Sequence, residues 1–278
     1  MLVTSKELFK IAQRKKFAIP AVNFVDQYTL RSYIAVAEKL NVPLIVSFAQ
    51  AHHELMDIEE AAMLGKYYAK QAKVPVVLHL DHGEDVEFVK RAVDLGFASV
   101  MIDASQDSFE ENVRKTKEVI SYAHAKGVVV EAEIGHVGSG DNYENHERSD
   151  STYTTVEEAK SFYQETNVDS LAISIGTAHG TYVGLPEINF ERLHDISEVV
   201  QVPLVLHGGS STGDANLARC ASSGIVKINI FTDIINNSIK DLSTDGKSYF
   251  DIHQQMRNGM EECLTHYFHI FKTMTVTL

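Results

Sequence analysis

Residues 74–83 have the sequence VPVVLHLDHG, and residues 202–209 have the sequence VPLVLHGG. Each stretch begins with valine, proline and leucine residues, and each carries near its end a histidine that is followed directly by glycine. A continuous apolar run, unlike an alternating one, is typical of a strand buried on both faces of a parallel sheet. We therefore predict two buried parallel strands that carry polar groups at their carboxyl ends.

Runs of the same kind recur from near the start of the chain almost to its end. The eight strand candidates are Phe17–Phe24, Pro43–Phe48, Val74–Leu80, Ser99–Asp103, Val128–Glu133, Ser170–Ile175, Pro203–Leu206 and Ile225–Ile230. Amphipathic helical patterns separate them, among them Thr29–Leu40, Asp85–Leu95, Ser108–Lys126, Thr155–Glu165 and Asn189–Val199. Eight β-then-α units in series predict an α/β fold, a single (β/α)8 TIM barrel. A doubly wound open sheet is the alternative, but no GxGxxG motif follows the first strand, where a dinucleotide-binding sheet carries it.

The length of the chain agrees with one domain. A (β/α)8 barrel takes about 250 residues, and this chain has 278. We expect residues 1–278 to form one barrel with a helical segment from about residue 234, which includes a long helix over Tyr249–Phe271. The polar segment Gly138–Tyr153 fits neither a strand nor a helix. Loops of this length inside a compact domain are usually functional, often as lids, although an ordinary surface insertion is the alternative.

The composition narrows the class of partner. A formal net charge of −13 argues against nucleic acid and anionic membranes, which are approached through basic surface. A small anionic substrate stays compatible with this charge, because backbone N–H groups and a metal act locally.

Cys220 and Cys263 lack metal-binding spacing and are expected to be reduced and buried. No segment resembles a secretory signal or a membrane span, so we expect a cytoplasmic protein; Thr4–Glu7 predicts a capping box that begins the first helix.

Three predicted strand ends carry a histidine followed by glycine. They are His82-Gly83, His179-Gly180 and His207-Gly208. A lone histidine at a strand end is more often a structural residue, but the carboxyl ends of all barrel strands meet at one rim. Three histidines at equivalent rim positions predict a catalytic zinc site with one open position.

Carboxylates follow the same strands. Asp81 precedes His82 and, by strand alternation, faces a different side of the rim. It either moves protons at a substrate oxygen or accepts a hydrogen bond that orients an imidazole. Asp103 and Glu133 end strands four and five, where they either form a secondary cation site or accept hydrogen bonds.

A glycine-rich segment follows strand seven. Residues 208–211 (GGSS) and 229–232 (NIFT) occupy the region where such barrels often bind phosphate. Backbone N–H groups approach an anion where no side chains intrude. The pattern predicts a phosphate site there, to which Gly180 adds a further amide.

Six motifs in this order resemble the class II ketose-bisphosphate aldolases, which include fructose-bisphosphate and tagatose-bisphosphate aldolases. The motifs are LHLDHGE (78–84), MIDAS (101–105), VEAEIG (130–135), SLAISIGTAHG (170–180), VPLVLHGGS (202–210) and KINIFTD (227–233). The resemblance extends from about Ser5 to Asp233. It implies a TIM-barrel enzyme of carbohydrate metabolism such as glycolysis, which acts on a phosphorylated sugar as a homodimer or homotetramer.

The resemblance also implies a role for individual residues. The catalytic Zn²⁺ is expected on His82, His179 and His207, and a second, looser divalent or monovalent cation on Asp103 and Glu133. Asp81 is expected to transfer the proton at the aldehyde-derived oxygen while zinc stabilises an enediolate. The expected substrate contacts are Asn23, Ser47, Gly180, Gly208, Gly209, Ser210, Asn229, Ile230, Phe231 and Thr232. No Schiff-base lysine is needed, and Lys227 is expected to be structural.

Three departures from the family pattern concern the distal half of the substrate. The loop acid that is usually glutamate corresponds to Asp141, for which Glu144 or Glu147 can substitute. Phe231 stands where the family's sugar aldolases have alanine or aspartate. The C-terminal helix lacks the usual basic residues, with Arg257 the nearest candidate for a distal phosphate. A ketose that is not a bisphosphate is therefore compatible with the sequence.

The sequence supports a metal-dependent aldolase that reversibly cleaves a phosphorylated ketose, such as fructose or tagatose bisphosphate, to dihydroxyacetone phosphate and an aldehyde. An aldolase for a non-bisphosphate ketose or a uronate phosphate is the first alternative. A sugar-phosphate isomerase or epimerase and a catalytically weak binding protein are the others, since barrels host many functions.

Overall fold

The computed structural model describes residues 1–137, 153–180 and 184–278. Within these residues the eight strands are β1 Ile19–Asn23, β2 Leu44–Ala49, β3 Val76–Gly83, β4 Ser99–Ile102, β5 Val129–Ile134, β6 Ser170–Ile173, β7 Leu204–Leu206 and β8 Ile225–Asn229. The helices are α1 Ser5–Lys15, α2 Gln27–Leu40, α3 Ile58–Gln71, α4 Val86–Leu95, α5 Phe109–His124, α6 Val156–Thr166, α7 Phe190–Val199, α8 Asp214–Ser222, α9 Thr232–Ile239 and α10 Tyr249–Ile270. A single 3₁₀ turn, Gln50–His52, follows β2.

The strands form one closed parallel barrel in the order of the chain. Each strand pairs with the next, and β8 pairs with β1 through Ile19↔Lys227 and Ala21↔Asn229. The predicted (β/α)8 barrel is confirmed, and the doubly wound sheet is excluded by this closure. The largest difference in a strand boundary is at β3, which continues beyond the predicted Leu80 to Gly83.

The two faces of the strands differ more than the sequence suggested. In β3, Val76, Leu78 and Leu80 belong to the hydrophobic layer between strands and helices. His79 and Asp81 alternate with them and are just as buried, at 1% and 3% exposure. The prediction of strands buried on both faces is therefore confirmed, but in the upper half of the barrel interior the buried side chains are polar and contact one another across the barrel.

The lower end of the barrel is closed by apolar side chains. Leu8, Phe9 and Ala12 of α1 form a second hydrophobic cluster with strand residues such as Ile45 and Val77. Burial of large apolar side chains stabilises each by roughly 1.5–3 kcal/mol. The barrel is thus closed to water from below, and its chemistry is confined to the opposite rim.

Three smaller sequence predictions have clear outcomes. Helix α1 begins at Ser5, but the predicted capping box is wrong, because Thr4 makes no side-chain hydrogen bond at the helix start. Cys220 and Cys263 are both buried and free, and burial raises the pKa of Cys220 to about 12. Among the described residues there is no helix long and apolar enough to cross a membrane.

Candidate functional site

A buried ionic network fills the barrel beneath the rim. The Nζ atom of Lys227 lies 2.7 Å from Glu131 Oε1 and 3.1 Å from His79 Nε2. His207 Nε2 lies 3.0 Å from the same Glu131 oxygen. Since β5 and β8 are not neighbours in the sheet, the Lys227–Glu131 pair crosses the barrel interior. Lys227 thus pairs with Glu131 inside the barrel, and the network connects the core to His207.

Neither His79 nor Glu131 was predicted from the sequence as a site residue. Each lies two residues before a carboxylate that it did identify, His79 before Asp81 and Glu131 before Glu133. A spacing of two places both residues of such a pair on the same face of a strand. That spacing is the signal that would have revealed a polar barrel interior.

His79, in the buried network, is expected to make the stability of the fold depend on pH. Burial, and then the Lys227 ammonium, lower the pKa of His79 to about 3. In the unfolded chain this histidine binds a proton near pH 6.5. The free energy of unfolding therefore falls as pH decreases from about 6.5 towards 3, because only the unfolded state gains the proton. We expect His79 to contribute up to about 2 kcal/mol of the stability lost between pH 7 and pH 5.

Urea unfolding at both pH values measures this loss. His79→Gln is expected to show a smaller loss of unfolding free energy than the wild type. His194→Gln, at an exposed position on α7, serves as the control and is expected to leave the loss unchanged. An equal loss in His79→Gln and the wild type would contradict the assignment.

Three histidines meet at the rim, as the sequence predicted. The ring centroids of His82 lie 4.4 Å from His207 and 4.9 Å from His179, and those of His179 and His207 are 6.2 Å apart. One nitrogen from each ring lies within 4.8 Å of the others. The rings come from the ends of β3, β6 and β7, which the closed barrel brings to one point.

Each ring is oriented by its other nitrogen. His82 Nδ1 lies 2.7 Å from Asp103 Oδ2, His179 Nδ1 lies 3.1 Å from the Val137 carbonyl oxygen, and His207 Nε2 contacts Glu131. The remaining nitrogens are His82 Nε2, His207 Nδ1 and His179 Nε2. The last is buried and has no hydrogen-bond partner among the described residues. Imidazoles held in this way by carboxylates and carbonyls are the usual arrangement of a metal-binding histidine, so the residues present fit a divalent metal.

The charges around the three rings also favour a cation. Burial and the nearby His82 lower the pKa of His179 to about 3, which leaves a neutral imidazole of the kind that binds metals. Burial lowers the pKa of His82 as well, but Asp81 and the hydrogen bond to Asp103 outweigh it and raise the pKa to about 10. The surrounding carboxylates thus stabilise a positive charge at the point where the rings meet.

Backbone geometry explains why each histidine precedes a glycine. His82 has φ +44°, a strained value for a histidine, at an irregularity in the β3–β4 register between Leu80 and Gly83. A Cβ at Gly83 would lie 2.6 Å from the Met101 carbonyl oxygen, and one at Gly208 would lie 2.3 Å from the Ala178 oxygen. These two glycines therefore allow adjacent strand ends to approach closely enough for the rings to meet. Gly180 instead has φ +94°, and no described atom beyond its chain neighbours lies within 4 Å of a Cβ placed there.

A second group of potential ligands shares His82. One ligand atom each of His82, Asp103 and Glu133 lies within 4.8 Å of the others. Burial and the Asp103 carboxylate raise the pKa of Glu133 to about 8, whereas the hydrogen bond and charge of His82 lower that of Asp103 despite its burial. The structure therefore brings the two predicted carboxylates together, beside the three histidines.

Asp81 lies at the end of β3 between two amides. Asn23 Nδ2 donates to one carboxylate oxygen at 3.0 Å, and Asn229 Nδ2 donates to the other at 2.8 Å. Burial alone would raise the pKa of Asp81, but the positive charges of His82 and Lys227 hold it well below its usual range. The side chain is therefore a fixed carboxylate that can accept a proton at the rim.

The glycine-rich segment after β7 is built by hydrogen bonds to β8 and α9. The Gly209 N–H donates to the Asn229 carbonyl oxygen at 3.0 Å, so this amide joins the two strand ends. The Ser210 hydroxyl accepts hydrogen bonds from the N–H groups of Phe231 and Asp233. These bonds connect the segment to the end of β8 and the start of α9, and they occupy the Gly209 N–H.

The remaining predicted contacts are placed unequally. Ser47 is buried in β2, and its hydroxyl has no hydrogen-bond partner among the described residues. The Ile230 side chain lies in the hydrophobic core. Thr232 begins α9, and the Phe231 ring contacts His52 at a centroid distance of 5.0 Å. His52 was not predicted from the sequence as a site residue.

The loop acid and Arg257 are the remaining expected residues. Asp141, like its alternatives Glu144 and Glu147, falls outside the described residues. The Arg257 guanidinium forms an ion pair with Glu261 of its own helix, at 2.5 Å. No described contact connects Arg257 to the residues at the rim.

A closed barrel with histidines and carboxylates meeting at the carboxyl ends of its strands defines a (β/α)8-barrel enzyme, whose active site lies at this end. The family model described as "Fructose-bisphosphate aldolase class-II" matches residues 3–275. The chain belongs to this family, and its members are lyases. The resemblance inferred from the sequence motifs is thereby confirmed.

Solved structures agree with this assignment. The chain is 32% identical to the YdjI aldolase from Escherichia coli K12, with a TM-score of 0.87 and 98% of each chain covered. It is 30% identical to a proposed fructose-1,6-bisphosphate aldolase from Coccidioides immitis, with a TM-score of 0.83 over 96% of this chain and 95% of the other. A fructose-bisphosphate aldolase from Campylobacter jejuni, 23% identical over 99% of this chain and 97% of the other, has the same fold with a TM-score of 0.81.

Proposed function

We propose that the chain is a zinc-dependent aldolase that reversibly cleaves a phosphorylated ketose to dihydroxyacetone phosphate and an aldehyde. One observation carries the proposal. Three imidazole nitrogens, from His82, His179 and His207, face a common point while the other nitrogen of each ring is held by Asp103, the Val137 carbonyl or Glu131. This is the donor set of a catalytic zinc with an open position.

Zinc bound there would act as a Lewis acid that polarises the substrate carbonyl. The protein's own residues would then handle the proton. In the cleavage direction the Asp81 carboxylate takes the proton from the hydroxyl next to the breaking carbon–carbon bond, and in condensation it returns that proton. Asn23 and Asn229 hold both carboxylate oxygens in place. A low pKa keeps Asp81 ionised, as a base requires.

The phosphate of the ketose is proposed to bind at the rim between β7 and α9. Gly208, Ser210 and the start of α9 at Thr232 lie there, where a helix N-terminus attracts an anion. Asp103 and Glu133 are proposed to hold a second cation beside His82. The loop acid Asp141, a cytoplasmic location and a homodimer or homotetramer complete the proposal, which for these parts rests on the family resemblance.

Release of dihydroxyacetone phosphate is the test of this function. Purified protein with zinc is incubated with fructose bisphosphate, tagatose bisphosphate, ketose 1-phosphates and a uronate phosphate, and release is coupled to NADH oxidation by glycerol-3-phosphate dehydrogenase. We expect release from at least one compound and none with Asp81→Asn. Interconversion of two sugar phosphates without release, followed by NMR, would instead identify an isomerase or epimerase.

Tyr267 of α10 is connected through Asp233 to the glycine-rich segment after β7. Its hydroxyl donates to the Asp233 carboxylate, which accepts hydrogen bonds from the Ser211 N–H and hydroxyl. Ser211 has φ +61°, a conformation that these bonds hold in place. Tyr267→Phe removes a hydrogen bond to a charged group. We expect a rise in KM for the ketose phosphate of about tenfold with a smaller change in kcat.

Tyr122→Phe is the matched control for steady-state kinetics. Tyr122 also donates to an aspartate, Asp94, at 2.9 Å, but this pair lies at the protein surface. We expect its KM to equal that of the wild type. An unchanged KM in Tyr267→Phe would show that the Ser211 conformation does not depend on α10.

A further inference from the structure

Two rings meet across the mouth of the barrel above β1. His52 ends the 3₁₀ turn after β2, and Phe231 directly precedes α9, after β8. β1 lies between β2 and β8 in the barrel. The ring contact, at a centroid distance of 5.0 Å and an interplanar angle of 44°, therefore spans the end of β1, where Asn23 donates to Asp81.

Both rings belong to segments that also build the Asp81 cluster. Ala49, three residues before His52, pairs with Asp81 in the β2–β3 register. Asn229, two residues before Phe231, donates to the Asp81 carboxylate. The turn that carries His52 is held in place because the Gln50 side-chain oxygen accepts hydrogen bonds from the Glu84 and Asp85 N–H groups. The ring pair is thus fixed beside the carboxylate.

The pair presents an uncharged surface. His52 is half-buried, and its Nδ1 atom is buried without a partner among the described residues. Burial lowers the pKa of His52, although Asp81 opposes this, so the imidazole is neutral near pH 7. In the part of the chain that the structure describes, no hydrogen bond, ion pair or cation–π contact links a lysine or arginine to either ring. A phosphate placed against the pair would lie near the Asp81 carboxylate without a compensating lysine or arginine among the described residues.

We propose that His52 and Phe231 form the binding surface for the aldehyde half of the substrate and select an uncharged, hydroxylated carbon chain there over a phosphorylated one. This rests on the proposed function, in which Asp81 handles the proton of the aldehyde-derived oxygen. The atoms beyond that oxygen then lie against the pair. The Phe231 ring packs on the C–H groups of the substrate's carbon chain. The His52 imidazole forms a hydrogen bond with one of the substrate's hydroxyl groups.

Condensation kinetics test the proposal with the intact zinc enzyme. Dihydroxyacetone phosphate is combined with glyceraldehyde or a neutral tetrose on one side, and with glyceraldehyde 3-phosphate on the other. We expect the wild-type kcat/KM to favour the neutral aldehydes by about tenfold or more. Phe231→Ala and His52→Ala are expected to lower kcat/KM for the neutral aldehydes, and Phe231→Arg to shift the preference towards the phosphorylated aldehyde by about tenfold.

His53→Gln is the matched control, since His53 is the next residue but is exposed; we expect it to keep the wild-type preference. Exchange of the dihydroxyacetone phosphate carbon-bound hydrogen with solvent, measured without aldehyde, reports on the proposed function separately. Absence of exchange in the wild type would refute that function. Exchange combined with a preference for the phosphorylated aldehyde, or with equal effects of the ring variants on both aldehydes, would overturn the inference about His52 and Phe231.

Discussion

His207→Ala is expected to lose bound zinc and to lower aldol cleavage by about a thousandfold or more. A Lewis-acid metal stabilises transition-state charge by several kcal/mol, and about 4 kcal/mol corresponds to a thousandfold in rate. His207 is fully buried, and it is the ring that connects the metal ligands to Glu131. Its removal therefore takes away a ligand and leaves a carboxylate without one of its partners.

Metal content by mass spectrometry and rate of dihydroxyacetone phosphate release measure the two effects independently. His194→Ala, at an exposed position on α7, controls for the loss of an imidazole as such. Treatment of the wild type with a chelator is expected to abolish activity, and added zinc to restore it. Stoichiometric zinc and full activity in His207→Ala would refute the metal assignment.

Lys227→Met is expected to destabilise the fold by about 3–5 kcal/mol, because it leaves Glu131 buried without its cation. Both side chains are 1% exposed, and the pair crosses the barrel. The companion change Glu131→Gln in the same chain removes the uncompensated charge, so the double variant is expected to regain part of the loss. For a chain of this size the single variant corresponds to a fall in Tm of roughly 10 °C.

Thermal unfolding followed by circular dichroism measures these differences. Lys117→Met is the matched control, since Lys117 pairs with Glu165 at 3.5 Å with both side chains about half exposed. Exposed pairs contribute roughly 0–1 kcal/mol, so little change is expected. If Lys227→Met proved as stable as Lys117→Met, the network would not be a stabilising element of the barrel.

The fold was predictable from sequence because each strand has its own local signal. Continuous apolar runs such as Leu204–Leu206 indicate buried parallel strands. The helical patterns between them predict the crossover connections that join one parallel strand to the next. The capping box at Thr4 was predicted wrongly because a cap depends on the orientation of one side chain, which residue type does not decide.

The candidate site was predictable from the sequence for those residues that lie at the ends of strands. The histidines and Asp81 are found by counting strands, since all carboxyl ends of a closed barrel share one rim. His52 lies on a short turn, beyond the strand end, and has no periodic signal. Its contact with Phe231 joins segments about 180 residues apart in the chain, which only the closure of β8 onto β1 brings together.

The sequence by itself therefore determined the order of strands and helices, the rim at which polar residues collect and the family of the chain. Only the tertiary structure decided which nitrogen of each histidine faces the other two rings, which carboxylate or carbonyl oxygen contacts the other nitrogen and which amides hold Asp81. The physical reason is that hydrophobic periodicity is a local property of the chain. Hydrogen bonds across the barrel depend on the register and close approach of strands, which glycines such as Gly83 and Gly208 permit.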